Sequence, residues 1–334
     1  MLIMEYTPDT DRYDGRMSYR RCGKSGIVLP EISLGLWHNF GETDRFENCL
    51  AMARYAFDQG ITHFDLANNY GPPFGSAEET FGRILKKSPA MRREELIISS
   101  KAGHSMWNGP YGDGGSRKMM LTSLDQSLQR MGLDYVDIFY SHRYDSLTPI
   151  EETMQALVDI VRSGKALYAG ISKYPPEQAA FAYRYLQERD VPCLIYQGRY
   201  NLFDRAPEAE TLPLAKENGA GFIAFSPLAQ GLLTNRYLNG IPADSRIARP
   251  EGYLKQEQLT PETLRKIEAL NRIALSREQT LAEMALAWVL KNDLVTSVII
   301  GASSVQQLKD NLQATRNTKF SEAELALINE ILNW

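Results

Sequence analysis

The chain has 334 residues, 43% hydrophobic and 23% charged, which suits either two ordinary domains or one large α/β barrel. Its 37 basic and 41 acidic residues give a formal net charge of −4 and are interspersed without a long run of either sign, so neither nucleic acid nor an acidic membrane is expected as a partner. Cys22, Cys49 and Cys193 lie far apart and outside any Cys/His cluster, and no apolar run reaches bilayer length; no metal site, disulfide framework, signal peptide or membrane anchor is expected, and the setting is read as cytoplasmic.

The elements begin with a small hairpin, in which residues 19–21 and 27–29 flank Cys22-Gly23-Lys24-Ser25-Gly26. In a barrel it could plug the N-terminal end. From Glu31 onward, short β-type runs alternate with longer amphipathic stretches, the rhythm of a parallel sheet with crossover helices. In chain order the pattern predicts strand 32–36, helix 47–59, strand 62–65, helix 77–86, strand 96–100, helix 117–130, strand 136–140, helix 150–163, strand 166–171 and helix 177–187. It continues with strand 193–197, helix 208–218, strand 221–225, helix 281–291, strand 297–300 and helix 305–314. Ser76, ahead of Ala-Glu-Glu, is expected to cap the second helix. Residues 227–281 are too long for a simple βα loop and predict a functional loop with its own helix near 261–273. A further capped helix is expected at 322–332, outside the barrel. Eight strands is the number that closes a (β/α)8 TIM barrel, and the whole chain, 1–334, reads as one such domain.

In a barrel of this kind the active site forms where strands end, and the polar residues there converge quickly. Asp65 and Tyr70 follow the second barrel strand, Lys101 the third and His142 the fourth. Singly each has a bland account: a loop cap, a buried phenol, a solvated amine, a satisfied core histidine. Together, at the ends of three consecutive strands, they make one rim carrying an acid, a phenol, an amine and an imidazole.

This set resembles the Asp-Tyr-Lys-His tetrad of the aldo-keto reductases in identity and order, and the runs FDLANNYG, SSKAG and YSHR are similar to that family's neighbourhoods. GLWHNFG, SPLAQGLLTNRY and GASSVQQL resemble the branch that holds bacterial glyceraldehyde 3-phosphate reductases and potassium-channel β subunits. The resemblance implies reduction of an aldehyde or ketone by hydride from NADPH. Tyr70 would be the general acid, Lys101 the cation that stabilises its phenolate, Asp65 the partner of Lys101, and His142 a hydrogen-bond donor to the carbonyl oxygen. No metal is needed. The alternative is a nucleotide-sensing regulatory protein like a potassium-channel β subunit; His142 argues against it, since such subunits typically carry asparagine there. A non-redox barrel isomerase or lyase is a second rival.

A GxGxxA string at 219–224 mimics a dinucleotide fingerprint, but a helical stretch precedes it and a strand follows, the reverse of what the fingerprint requires. It reads instead as a helix C-cap feeding strand seven. The cofactor is expected near strands seven and eight, where Ser226, Pro227, Leu228, Gln230, Gly231 and Leu232 form a loop for the pyrophosphate and Gly301 and Ser303 lead into a helix N-terminus. By resemblance, Ser303, Gln307, Gln306 or Lys309, and Asn311 lie near the adenosine, while Arg236 and Arg246 are candidates for the 2′-phosphate, favouring NADPH over NADH. Phe225 would face the nicotinamide, or be a core phenylalanine. Ser172 and Gln197 could bond the carboxamide, with Lys173 following them toward the cofactor and Asp65 at its inner end.

Trp37 would wall the substrate pocket or touch the cofactor, or plug the barrel. Tyr70, Trp107, His142 and Arg143 complete the expected substrate contacts, with His38, Tyr111 and Tyr144 also available. Arg143 could meet an anionic substrate or pair with Asp145. Short aldehydes such as glyceraldehyde 3-phosphate and methylglyoxal are the expected substrates. A homo-oligomer, tetramer or octamer, is implied by the branch resemblance alone.

Overall fold

The computed structural model describes residues 6–238, 240–242, 254 and 256–333. A hairpin of β1 (Tyr19–Arg21) and β2 (Val28–Pro30), paired antiparallel, precedes the barrel. Eight parallel strands then follow: β3 (Ile32–Gly35), β4 (His63–Asp65), β5 (Ile97–Ala102), β6 (Val136–Ser141), β7 (Ala166–Ser172), β8 (Cys193–Arg199), β9 (Gly221–Phe225) and β10 (Ser297–Ile300). Each pairs with its neighbour in sequence, and β10 closes the barrel onto β3 with Val298 opposite Ile32. These are the eight strands the sequence pattern predicts. Their residues face helices on one side and the barrel interior on the other, which is why strands such as β6, Val-Asp-Ile-Phe-Tyr-Ser, are buried throughout.

The helices are α1 (Phe46–Asp58), α2 (Ser76–Lys87), α3 (Arg117–Met131), α4 (Ile150–Arg162), α5 (Pro176–Gln187), α6 (Thr211–Glu217), α7 (Pro261–Ser276), α8 (Leu281–Leu290), α9 (Val305–Leu312) and α10 (Glu322–Leu332). Local chemistry explains their ends. Thr280 with Glu283, and Ser321 with Glu324, form reciprocal capping boxes at α8 and α10. Pro176 opens α5, where its missing N–H costs nothing. Ser76 is not the cap expected of it. The cap of α2 is Gly75, in a left-handed conformation, and Ser76 is already helical, its hydroxyl donating to the Pro73 carbonyl at 2.7 Å. The predicted helix 208–218 is interrupted: a 3-10 turn at Ala206–Glu208 precedes α6, and Pro213 sits in the first turn of α6, where the ring is tolerated. Among the described residues no helix is long and apolar enough to cross a membrane.

The hairpin closes the N-terminal end of the barrel. Arg20 bridges Glu31 (2.7 Å) and the carbonyls of Leu290 (2.7 Å) and Val295 (2.9 Å), which precede β10. The Lys24 amide donates to the Gly219 carbonyl at 2.8 Å. That approach requires glycine at 23: its φ is +56°, and an added Cβ would lie 2.1 Å from the Gly219 oxygen. Gly23→Ala should destabilise the fold by about 2–4 kcal/mol through left-handed strain and backbone displacement. Urea unfolding would measure it, and a variant as stable as the parent would show that the hairpin is not wedged against the barrel.

Candidate active site

At the opposite end, a cavity of about 440 Å³ opens among the strand ends and the loops that follow them. Lys101 stands inside β5, one residue before that strand ends, with no solvent exposure. Its ammonium has three protons and three acceptors: Asp65 Oδ2 at 2.7 Å, the Leu66 carbonyl at 2.5 Å and the Tyr70 hydroxyl at 3.3 Å. Asp65, the last residue of β4, accepts on its other oxygen from Ser99 (2.8 Å) and Gln197 (3.0 Å). His142 follows β6 and meets the Tyr70 ring edge-on, centroids 6.0 Å apart. All four rim residues predicted from sequence therefore converge, and Asp65, Tyr70 and His142 line the cavity.

The sequence profile described as "Aldo/keto reductase family" matches residues 31–333. The chain belongs to the aldo/keto reductase family. It is 57% identical over 332 residues to L-glyceraldehyde 3-phosphate reductase of Escherichia coli (strain K12), covering 98% of this chain and 95% of that one. It is 38% identical over 305 residues to the probable voltage-gated potassium channel subunit beta of Oryza sativa subsp. japonica, covering 89% and 91%. The resemblance drawn from the sequence motifs is thus borne out, with the reductase much nearer than the channel subunit.

In this aldo/keto reductase the cavity wall also gathers most residues expected around the cofactor: Trp37, Lys173, Gln197, Phe225, Ser226, Pro227, Leu228, Gln230, Gly231, Arg236, Gly301 and Gln307. Others stand outside that wall. Ser172 and Asn311 are buried, and the Ser172 hydroxyl and Asn311 Nδ2 have no hydrogen-bond partner among the described residues. Leu232 is buried in the core, and Ser303 donates to the Gln307 side chain from its amide (2.8 Å) and hydroxyl (3.0 Å). Arg246 lies outside the described residues. Trp107, 40% exposed, and Arg143 do not line the cavity. The Arg143 guanidinium is taken up by the Gly103 carbonyl and by Asp113, both at 2.8 Å. Its partner is not Asp145, which accepts instead from the Gly115 and Leu147 amides and the Thr148 hydroxyl.

Sequence reasoning missed His104 and Arg199. His104 Nε2 lies 3.3 Å from the Lys173 ammonium, and its ring packs edge-on to His142 at 4.4 Å. Lys173 and Arg199 both approach the Phe225 ring, at 5.6 and 5.9 Å from its centre, and all three of His104, Lys173 and Arg199 line the cavity. A signal existed for each: His104 stands three residues past Lys101, and Arg199 shares the alternation that turns Gln197 inward. Ser226, Gln230 and Lys173 all hold left-handed backbones unusual for their side chains. Such conformations cluster where a loop is shaped for a ligand.

Burial sets the protonation states. It pushes the Tyr70 hydroxyl well above its ordinary value near 10, with the Asp65 charge acting the same way, so Tyr70 is a protonated phenol. The lowering expected from Lys101 is thus overridden, by burial first and then by the Asp65 charge. Burial also lowers Lys101, against the opposing pull of Asp65. His142 is held well below the usual imidazole range by burial first and then by the Lys101 and Lys173 charges, and burial takes His104 down to about 4. His142 should therefore take up no proton between about pH 5.5 and 8, unlike a free histidine. Histidine 15N spectra across that range would reveal the contrary by a shift of the His142 resonances near pH 6.5.

Proposed function

We propose that this protein catalyses NADPH-dependent reduction of short phosphorylated aldehydes, L-glyceraldehyde 3-phosphate foremost, to the corresponding alcohols, with methylglyoxal a further candidate substrate. The observation that carries the chemistry is the Lys101 ammonium held between Asp65 (2.7 Å) and the Tyr70 hydroxyl (3.3 Å) beside His142. The name of the Escherichia coli relative supplies the aldehyde. A wall of Lys173, Arg199 and His104 suits its anionic end. The whole chain is proposed to act as one barrel domain, in the cytoplasm, as a homo-oligomeric tetramer or octamer.

The residues present fit a nicotinamide dinucleotide. Two of the buried polar groups without a hydrogen-bond partner among the described residues, the Ser172 hydroxyl and Asn311 Nδ2, belong to the opposite ends of the expected cofactor track. Ser172 and Gln197 would hold the carboxamide, Phe225 the ring, residues 226–231 and Arg236 the phosphates, and Ser303, Gln307 and Asn311 the adenosine. Arg236 and Arg246 favour the 2′-phosphorylated form. When bound, NADPH supplies the hydride that the carbonyl carbon accepts.

The chain's own residues manage the oxygen. Negative charge grows there as the carbonyl is reduced, and Tyr70, protonated at neutral pH, delivers its proton to it. Lys101 then lies against the phenolate left behind, and the hydrogen bond from its buried ammonium stabilises that charge. Asp65 keeps Lys101 in place. Neutral His142 offers a ring N–H to the carbonyl oxygen and fixes its angle.

Tyr70→Phe should retain NADPH binding, read by fluorescence quenching, while carbonyl reduction falls by about 10²-fold or more. An active variant would overturn the assigned acid. A parent protein that binds NADPH but reduces no aldehyde in a panel would favour the nucleotide-sensing alternative.

Burial, then the nearby Lys101, Arg199 and Arg143 charges, lowers the Lys173 amine to about 8. Its attraction for an anion is thus nearly full a unit or more below pH 8 and is lost as pH rises through about 8. The ratio of kcat/KM for glyceraldehyde 3-phosphate to that for glyceraldehyde should fall as pH rises through about 8, and Lys173→Met should flatten this dependence. A ratio independent of pH in the parent protein would count against Lys173 as an anion contact.

A further inference from the structure

Four polar side chains lie inside the barrel beneath Asp65, each with no solvent exposure: Ser297 on β10, Ser33 on β3, His63 on β4 and Ser99 on β5. These strands are adjacent around the barrel, and the side chains form one continuous chain. Ser297 and Ser33 share a hydrogen bond of 2.6 Å, Ser33 meets His63 Nδ1 at 2.9 Å, His63 Nε2 meets Ser99 at 3.0 Å, and Ser99 meets Asp65 Oδ1 at 2.8 Å. Barrel interiors are ordinarily filled by branched aliphatic side chains, so polar groups kept there must satisfy one another.

The direction of the chain follows from counting protons. Each hydroxyl has one to give, and a neutral imidazole has one N–H and one acceptor nitrogen. The ionised Asp65 has none, so Ser99 donates to it, and Ser99 must then accept from His63 Nε2–H. That leaves His63 Nδ1 to accept from Ser33, which accepts from Ser297. The reverse order would begin at His63 Nδ1–H and end on the Glu31 carbonyl, 3.4 Å from Ser297, leaving Asp65 without the Ser99 donor. A charged acceptor at 2.8 Å outcompetes a neutral one at 3.4 Å. Burial lowers the His63 imidazole to about 4, so a second ring proton, which would break this order, is absent at neutral pH.

We propose that His63 and Ser99 are positioning residues for the reduction. Ser33 fixes His63 as its Nε2–H tautomer, His63 turns the Ser99 proton onto Asp65 Oδ1, and Asp65 thereby keeps Oδ2 aimed at Lys101 beneath Tyr70. Gln197 also donates to Oδ1, but it has a second proposed task at the cofactor; Ser99 has no other task. The inference rests on the proposed roles of Tyr70 and Lys101.

The tautomer can be read in the intact protein, because the chain has only four histidines. In solid-state 15N spectra of histidine-labelled enzyme, with His63 identified by its loss in His63→Gln, the expected signal is a neutral ring protonated at Nε2. Ser99→Ala should move that proton to Nδ1. An Nδ1–H ring in the parent protein overturns the proposal.

In kinetics, Ser99→Ala should lower kcat by about ten-fold with little change in KM, the loss of one hydrogen bond to a charged group. His63→Leu should behave alike, while His63→Gln, whose amide can still donate to Ser99, should recover most of the rate. Unchanged kcat in Ser99→Ala, alongside an inactive Tyr70→Phe, would sink this inference and leave the reductase reading standing. Should His63→Leu fail to fold, the Ser99→Ala rate and the tautomer still decide.

Discussion

An ammonium taken out of water loses several kcal/mol of hydration even after the protein relaxes around it, and ordinarily sheds its proton instead. Lys101 is in that position, fully buried inside the barrel wall. Asp65 and the Leu66 carbonyl hold two of its protons, and the third points at the Tyr70 hydroxyl. Removing Asp65 would strand a buried charge, a change of about 3–5 kcal/mol for pairs of this kind. The pair is a poor source of net stability. Its proposed return is chemical, since it keeps a fully buried cation within hydrogen-bond distance of a phenol.

That arrangement explains why the site is built from strands. Asp65 and Lys101 lie on adjacent strands β4 and β5, with Asp65 opposite Ser99 in the ladder, so their separation is set by the sheet and not by loop conformations. Gln197 reaches the same carboxylate from β8, across the barrel. Tyr70 lies on a loop, but that loop is tied back: its amide donates to the Ala67 carbonyl, and its own carbonyl accepts from the Gly75 and Ala77 amides at the start of α2. The proposed proton donor, at 3.3 Å from its supporting cation, tolerates little drift.

The sequence announced the strands because each is an apolar run bounded by polar rim residues, and it announced the tetrad because those residues sit at the ends of the runs. What it hid depends on neighbours across the barrel. Ser33, His63, Ser99 and Ser297 look like scattered small polar residues until strands 3, 4, 5 and 10 lie side by side. Arg143 stands two residues from Asp145 in sequence, yet Asp113, thirty residues away on another loop, takes its guanidinium. Loop geometry is set by local turns and close glycines, such as Gly115 where the Asp145 carboxylate bonds the backbone amide, and residue identity alone does not reveal it. Ser76 misled for a similar reason, since a left-handed Gly75 had already begun the helix.

The site therefore divides into a rigid part and an adjustable part that share one cavity. The proposed chemistry rests on Asp65, Lys101 and their supporting donors, all on strands or buried beneath them. Recognition, as proposed, rests on His104, Lys173 and Arg199, which occupy strand ends or stand within two residues of them and face the cavity without bonding to Lys101 or Asp65. Lys173 gains its direction from a left-handed backbone and a hydrogen bond from its amide to the Gln197 carbonyl, so its placement does not depend on the catalytic pair. Substitutions among these three can change which anion the cavity prefers while leaving the proton-transfer geometry intact. The Lys173 charge still reaches His142, which burial first, and then the Lys101, Lys173 and Arg143 charges, keep neutral. The electrostatics of recognition and of carbonyl polarisation are coupled in that one direction, through space, although their hydrogen bonds are separate.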